Sequence, residues 1–300
     1  MLVVRPAGRR AIISARWLLA LPAVWLGFSA TAMAQDTEKV ADPEVIGLTT
    51  SDGLNLTATY YPGPEGKNTV PVVMLHGLGG TRADLHDLAL ALQAAGHSVL
   101  VPDLRGHGDS PIVTDAGVTL TPDRLTRPHF IGMVADVEAC KSHLMGLNNE
   151  GSLNIDKLCV VGSDLGAIVA LHWSAGDWAV PDLPGRRQSR WVKALVLISP
   201  SWSVKGFSVS PALQSPAIQE DIALYIVSGQ ESKDTTRLAR QFDGYRSNLK
   251  PSNLFVKQFE TTLQGAALTT APNLDVAARI GQFINLQLVE KTFPWKDHTR

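Results

Sequence analysis

The sequence predicts an α/β fold, with a mostly parallel central sheet and helices on both faces. Three observations carry this expectation. Short apolar runs alternate with helical patterns over roughly 220 residues, which is the signature of strand–helix–strand units. Several of the runs are continuously apolar, as strands covered on both faces must be. No linker divides the alternation, so a single domain is expected over 45–290. Composition agrees: 45% of the 300 residues are apolar and 18% charged, which is enough to form a core. A chain of this size buries roughly 75% of its unfolded surface, so neither disulfides nor metals are required for stability.

The elements follow in order. Val45 to Tyr61 holds two β-type runs around the turn-rich Ser51-Asp52-Gly53 and reads as an opening hairpin. Val70 to Leu75 is a continuous apolar strand. Thr81 to Ala95 reads as a helix, with Thr81 and Asp84 spaced as a capping box, Leu85, Leu88 and Leu92 on one face, and Gly96 as its stop. Ser98 to Val101 is the next strand. Phe130, Met133, Val137, Cys140 and Leu144 follow helical spacing and bury Cys140. Leu158 to Val161 is a strand carrying Cys159, and a helix runs from near Asp164 to about Trp173. Ala194 to Ser199 and Ile222 to Val227 are buried strands. Thr235 to Phe242 is a short helix, Leu254 to Phe259 a final strand, and Val276, Ile280 and Phe283 or Ile284 mark the last helix.

Residues 1–34 stand apart. Arg5, Arg9, Arg10 and Arg16 precede a charge-free stretch, Trp17 to Ala34, that ends Ala32-Met33-Ala34. A basic start, a short apolar run and small residues at the end describe a secretory signal peptide, with an uncleaved membrane anchor as the alternative. Cleavage after Ala34 would give a periplasmic or extracellular protein with no membrane span. A flexible segment, 35–44, would then precede the domain, and 291–300 would form a C-terminal tail. Formal net charge is -1, and without the four Arg it becomes about -5, since 23 basic then face 28 acidic residues. That balance argues against nucleic acid or an anionic membrane surface as partner. The two Cys, Cys140 and Cys159, both fall on apolar faces and read as buried and unpaired, although an oxidising compartment leaves a disulfide open.

In parallel sheets ligands bind beyond the carboxyl ends of the strands. Three such ends carry suggestive segments: His76-Gly77-Leu78-Gly79-Gly80, Asp103-Leu104-Arg105-Gly106-His107-Gly108-Asp109-Ser110, and Gly162-Ser163-Asp164-Leu165-Gly166-Ala167. In this order, each after a strand, they resemble the α/β-hydrolase fold, most closely its lysophospholipase and serine-aminopeptidase-like branches, over roughly 45–288. The length between the strands that end at Ser199 and begin at Ile222 implies a minimal cap.

The resemblance implies a nucleophile elbow, Gly-x-Ser-x-Gly, whose glycines permit a sharp strand-to-helix turn. Here Gly162 and Gly166 flank Asp164, and Ser163 sits one position early. Asp164 also suits the N-cap of the following helix. The family's His after the last strand matches Gln264 in Thr261-Thr262-Leu263-Gln264-Gly265-Ala266. An amide is no general base near neutrality. The acid position holds Ser232. The flanking Glu231 and Asp234 are the carboxylates able to serve, and both read as solvated loop charges. Oxyanion-hole N–H groups would come from Leu78 and Leu165, with His76, Gly77 and Ser163 in the pocket loops. His107 and His129 lie on loops at the correct face, whereas His298 follows a helix leading away from it.

Three functions are weighed. The first is a catalytically degenerate hydrolase fold, a pseudoenzyme that binds a small-molecule or ester-like ligand. The second is an Asp-nucleophile hydrolase of the epoxide hydrolase or haloalkane dehalogenase kind, in which the carboxylate forms an ester with substrate. Against it, Pro200 to Asp221 has no Tyr and a single Trp, Trp202. The third is an ester or peptide hydrolase with a displaced triad, for example Ser163 with His129. The first ranks highest, because all three triad positions depart from the pattern. No His or Cys pair has metal-ligand spacing, and the segment at His76 lacks the Lys and Ser/Thr of a phosphate loop, so no metal and no organic cofactor is expected.

Overall fold

A computed structural model describes residues 41–64, 66–185, 187–230, 232–247 and 253–299. The expected signal peptide, most of the flexible segment after it, and Glu231 lie outside the described residues. The strands are β1 (Glu44–Thr49), β2 (Asn55–Tyr61), β3 (Val70–Leu75), β4 (His97–Pro102), β5 (Leu158–Ser163), β6 (Val192–Ile198), β7 (Ser203–Val204), β8 (Phe207–Ser208), β9 (Ala223–Gly229) and β10 (Leu254–Phe259). The α-helices are α1 (His86–Ala94), α2 (Arg127–Asn149), α3 (Leu165–Ala179), α4 (Lys233–Arg246), α5 (Ala266–Thr269) and α6 (Val276–Ile284).

Eight strands form one sheet in the order β1-β2-β4-β3-β5-β6-β9-β10. The β1–β2 and β2–β4 pairs are antiparallel and the rest parallel, so the carboxyl ends of β3, β4, β5, β6, β9 and β10 share one edge. The expected α/β architecture is therefore present. Period-2 alternation sorts the side chains of β3: Val73 and Leu75 face α2, α3 and α4, while Val70, Val72 and Met74 face α1 and α6. Cys140 and Cys159 are buried on opposite faces of this sheet and are not bonded to one another. Burial pushes both thiols well above their ordinary range.

Element limits differ from the sequence reading where burial, not pattern, sets them. The first helix opens as a tight 3₁₀ turn (Arg82–Leu85) before α1, with the Asp84 carboxylate accepting the Thr81 N–H at 3.0 Å. α3 continues to Ala179 because Asp177 is tied to the Trp191 and Val192 N–H groups ahead of β6. α4 spans 233–246, longer than its apolar stripe, because Arg246 is buried against the carbonyls of Ile218, Gln219 and Ile222. Glu44 already belongs to β1, and the Ala41 carbonyl accepts from Gln93. The segment set apart as a C-terminal tail is docked at the edge opposite the strand ends. There Asn154 and Asn148 donate to the carbonyls of Phe293 and Lys296, and His298 lies beside Asp156. Among the described residues no helix is long and apolar enough to cross a membrane.

A buried ionic network holds the β4 end in place. The Asp136 carboxylate of α2 is fully buried and accepts from the Arg105 backbone N–H at 2.9 Å and side chain at 2.8 Å, and Arg105 also pairs with Asp52 of the hairpin turn. Removing one partner strands a buried charge, which is far costlier than losing a surface pair. Asp136→Ala is expected to lower the unfolding free energy by about 3–5 kcal/mol, read from urea titration of the purified protein.

Candidate functional site

The bend between β5 and α3 is made possible by contact distances that admit no side chain. A Cβ on Gly162 would lie 2.4 Å from the Gly166 carbonyl, and one on Gly166 would lie 2.4 Å from the Leu75 carbonyl. With both positions bare, α3 rises directly beside the end of β3, and Asp164 takes φ 49° and ψ -111° at the apex. That conformation is strained for a residue with a Cβ and is held by bonds around it. The Asp164 N–H donates to the Ile198 carbonyl at 3.0 Å, and its carbonyl accepts from Ala167 at 3.1 Å.

The Asp164 side chain does not cap α3, contrary to the N-cap expectation. The apex geometry turns the carboxylate away from its own helix and over the loop after β3. Its Oδ2 accepts the Leu78 N–H at 3.3 Å, and its Oδ1 accepts the Ser201 hydroxyl. A Cβ on Gly77 would come within 3.2 Å of that Oδ2, so the loop passes directly beneath the carboxylate. Leu165 opens α3 immediately after the apex.

Around Asp164 lies an open cavity of about 660 Å³, lined by residues that follow β6, β9 and β10. They include Ser199, Ser201, Lys233, Asp234, Thr262 and Gln264. Gln264 is part of this lining. The loop that carries it lies over the end of β9, where a Cβ on Gly229 would meet the Leu263 and Thr261 carbonyls at 2.4 and 2.5 Å. Asp234 is not the solvated loop charge expected. It is half-buried in the first turn of α4 and accepts the Trp202 N–H at 2.9 Å. Ser232, at the family's acid position, caps α4 by accepting from Thr235. Ser163 is 1% exposed, the last residue of β5, with its hydroxyl beneath Gly265. It does not reach the apex.

The histidines are placed elsewhere. His76 accepts the Leu104 N–H at Nε2 (3.0 Å), so Nδ1 carries the proton and donates to the Gly77 carbonyl at 2.8 Å. The ring therefore locks the loop under Asp164. His107 packs against His76 and approaches the Arg105 carbonyl. His129 is no loop residue: it lies in the first turn of α2 and accepts the Thr126 N–H at Nδ1. No histidine lines the cavity among the described residues. Nor does any group of three or more His, Cys, Asp or Glu there form a metal site.

Ser201 and Lys233 were missed in the sequence. The signal that points to them is the strand-end rule, since Ser201 follows β6 and Lys233 follows β9 within a few residues.

With this geometry in view, the chain belongs to the alpha/beta hydrolase family, whose profile matches residues 72–289. It is 34% identical over 238 residues to a Danio rerio sn-1-specific diacylglycerol lipase, ABHD11, covering 74% of this chain and 68% of that protein. It is also 31% identical over 122 residues to an uncharacterized Mycobacterium tuberculosis protein; the match covers 41% of this chain and spans 37% of that relative's length. Among solved structures, a Pyrococcus furiosus esterase superposes with a TM-score of 0.59 at 17% identity, covering 82% of this chain and 93% of the esterase. A Pyrobaculum calidifontis esterase gives 0.58 at 16% identity, covering 83% and 87%. These structural likenesses concern the fold.

Burial pushes the imidazoles of His76 and His97 down to about 4, and neither His97 ring nitrogen has a partner among the described residues. Each ring binds a proton near pH 6.5 when unfolded but only near pH 4 when folded. The unfolded state therefore holds more protons in that window, and stability falls as pH drops from about 6.5 to about 4. At about pH 4.5 each ring is expected to cost about 2–3 kcal/mol relative to neutral pH. His97→Leu should remove one such share from the difference between urea unfolding at about pH 7 and about pH 4.5.

Proposed function

We propose that this hydrolase-family chain binds a small ester-like molecule in the Asp164 cavity and has lost serine-triad turnover. The observation that carries the reading is the condition of the apex residue. It is a carboxylate whose oxygens already accept the Leu78 N–H and the Ser201 hydroxyl, in a cavity with no histidine among the described residues. The oxyanion donor at Leu78 faces a negative charge instead of an empty site. Gln264 offers an amide where the family has a base, and loss of the base alone costs about 10⁶ in kcat in a serine triad. The ester-like class of ligand is supported by relatives named as a diacylglycerol lipase and as esterases.

Neither alternative gains as much. The displaced triad needs Ser163, which is buried beneath Gly265. The Asp-nucleophile reading needs a lid with leaving-group donors. Between Pro200 and Asp221 lie only the short β7–β8 pair, one 3₁₀ turn and one π turn.

The test compares the parent protein with an Asp164→Ser, Gln264→His double variant. The parent is expected to show no hydrolysis of p-nitrophenyl butyrate above background and no fluorophosphonate label, while the variant is expected to take the label at residue 164. Activity in the parent would falsify the reading. A mass increase at Asp164 after exposure to epoxides or alkyl halides would replace it with the Asp-nucleophile alternative.

We also propose that the chain is exported, supported by the basic start and the charge-free run ending Ala32-Met33-Ala34. N-terminal sequencing of the protein from an expressing bacterium is expected to begin at Gln35. A cytoplasmic product that retains residues 1–34 overturns this.

A further inference from the structure

The side of α4 that carries Lys233, Arg237 and Arg240 borders a second groove, of about 840 Å³, next to the Asp164 cavity. The three cations lie at i, i+4 and i+7, so they share one face of the helix. Among the described residues its remaining lining is Ser, Thr and Gln, with no carboxylate. None of the three cations is in a salt bridge among the described residues. In a chain of net charge -1 this is a local concentration of positive charge with no ion-pair partner among the described residues.

Two features make it more than a solvated helix face. The Arg237 guanidinium lies over the Trp202 ring, 3.5 Å from its centroid, and the Trp202 N–H is bonded to Asp234. Stacking fixes the guanidinium plane and leaves its N–H edge available, the arrangement suited to carboxylate or phosphate. The groove and the Asp164 cavity also share Ser232 and Lys233 in their linings, so they adjoin at the start of α4. Asp164 and Asp234 line the cavity, Arg237 and Arg240 line the groove, and Lys233 stands at the joint between them.

We propose that the ligand of the Asp164 cavity carries an anionic group, a carboxylate or a phosphate monoester, that is held by Lys233, Arg237 and Arg240. This rests on the binding reading above and adds the ligand's charge and orientation. The anion lies along the Arg237 and Arg240 face of α4, because Asp164 repels it from the cavity end.

Isothermal titration of the full chain with hexanoate, hexyl phosphate and 1-hexanol tests it. At least one of the two anions is expected to bind about tenfold or more tightly than the alcohol, and the better of them identifies the preferred head group. Inorganic phosphate, added to the cell, is expected to weaken the apparent binding of the preferred anion. R237Q/R240Q is expected to erase the anion advantage. K233Q, at an exposed and unpaired position, provides a second variant whose folding is not in question and should weaken the anion about threefold. Equal binding of alcohol and anions, no binding of either anion, or an anion preference that survives R237Q/R240Q overturns the inference. Ester hydrolysis measured on the same preparations separates the two ideas. Turnover with the anion preference intact overturns only the binding-protein reading, and a lost preference without turnover overturns only this one.

Discussion

The site depends on the approach of the β5–α3 bend to the end of β3. Bare backbone at Gly162 and Gly166 lets α3 start against the Leu75 and His76 carbonyls, closer than any Cβ allows. From that contact follow the strained apex at Asp164, the line of its carboxylate toward Leu78, and the position of the loop after β3. The strain is sustained because β5 and α3 are buried in the two main cores, so the bend has no slack through which to relax.

A second layer of interactions keeps that loop in register. His76 bridges it to the end of β4 through the Leu104 N–H, and Asp103 and Arg105 tie the same end to Arg82, Asp52 and Asp136. His76 is thus tied at both ring nitrogens to the backbone of this edge. Burial keeps the His76 ring neutral, and neutrality is what lets one nitrogen accept while the other donates.

At the apex a carboxylate replaces the neutral hydroxyl that the family pattern expects, and this changes the electrostatics of the pocket. The Leu78 N–H that would receive a developing oxyanion receives a permanent one, and Ser201 adds a further hydrogen bond. Charge is uneven around the pocket: Asp164 and Asp234 face the cavity, while Arg237 and Arg240 border the groove beside it.

The sequence by itself determined the architecture. Continuous apolar runs such as Val70 to Leu75, alternating with helical stripes such as Leu85, Leu88 and Leu92, are local patterns set by burial on two faces or one, and they are readable without neighbours. It also placed Asp164 between its glycines and Gln264 after the last strand, because those positions are counted along the chain. Only the tertiary structure decided what the side chains touch. The N-cap role suited to Asp164 gave way to Leu78 and Ser201, which lie 86 and 37 residues away along the chain. Asp234 joined the pocket through Trp202, and His129 turned from a loop candidate into part of a helix start. Ser201 and the cations of α4 carry no motif at all. Their relevance comes from where β6 and β9 end in space, and strand adjacency is a long-range property that no local pattern encodes.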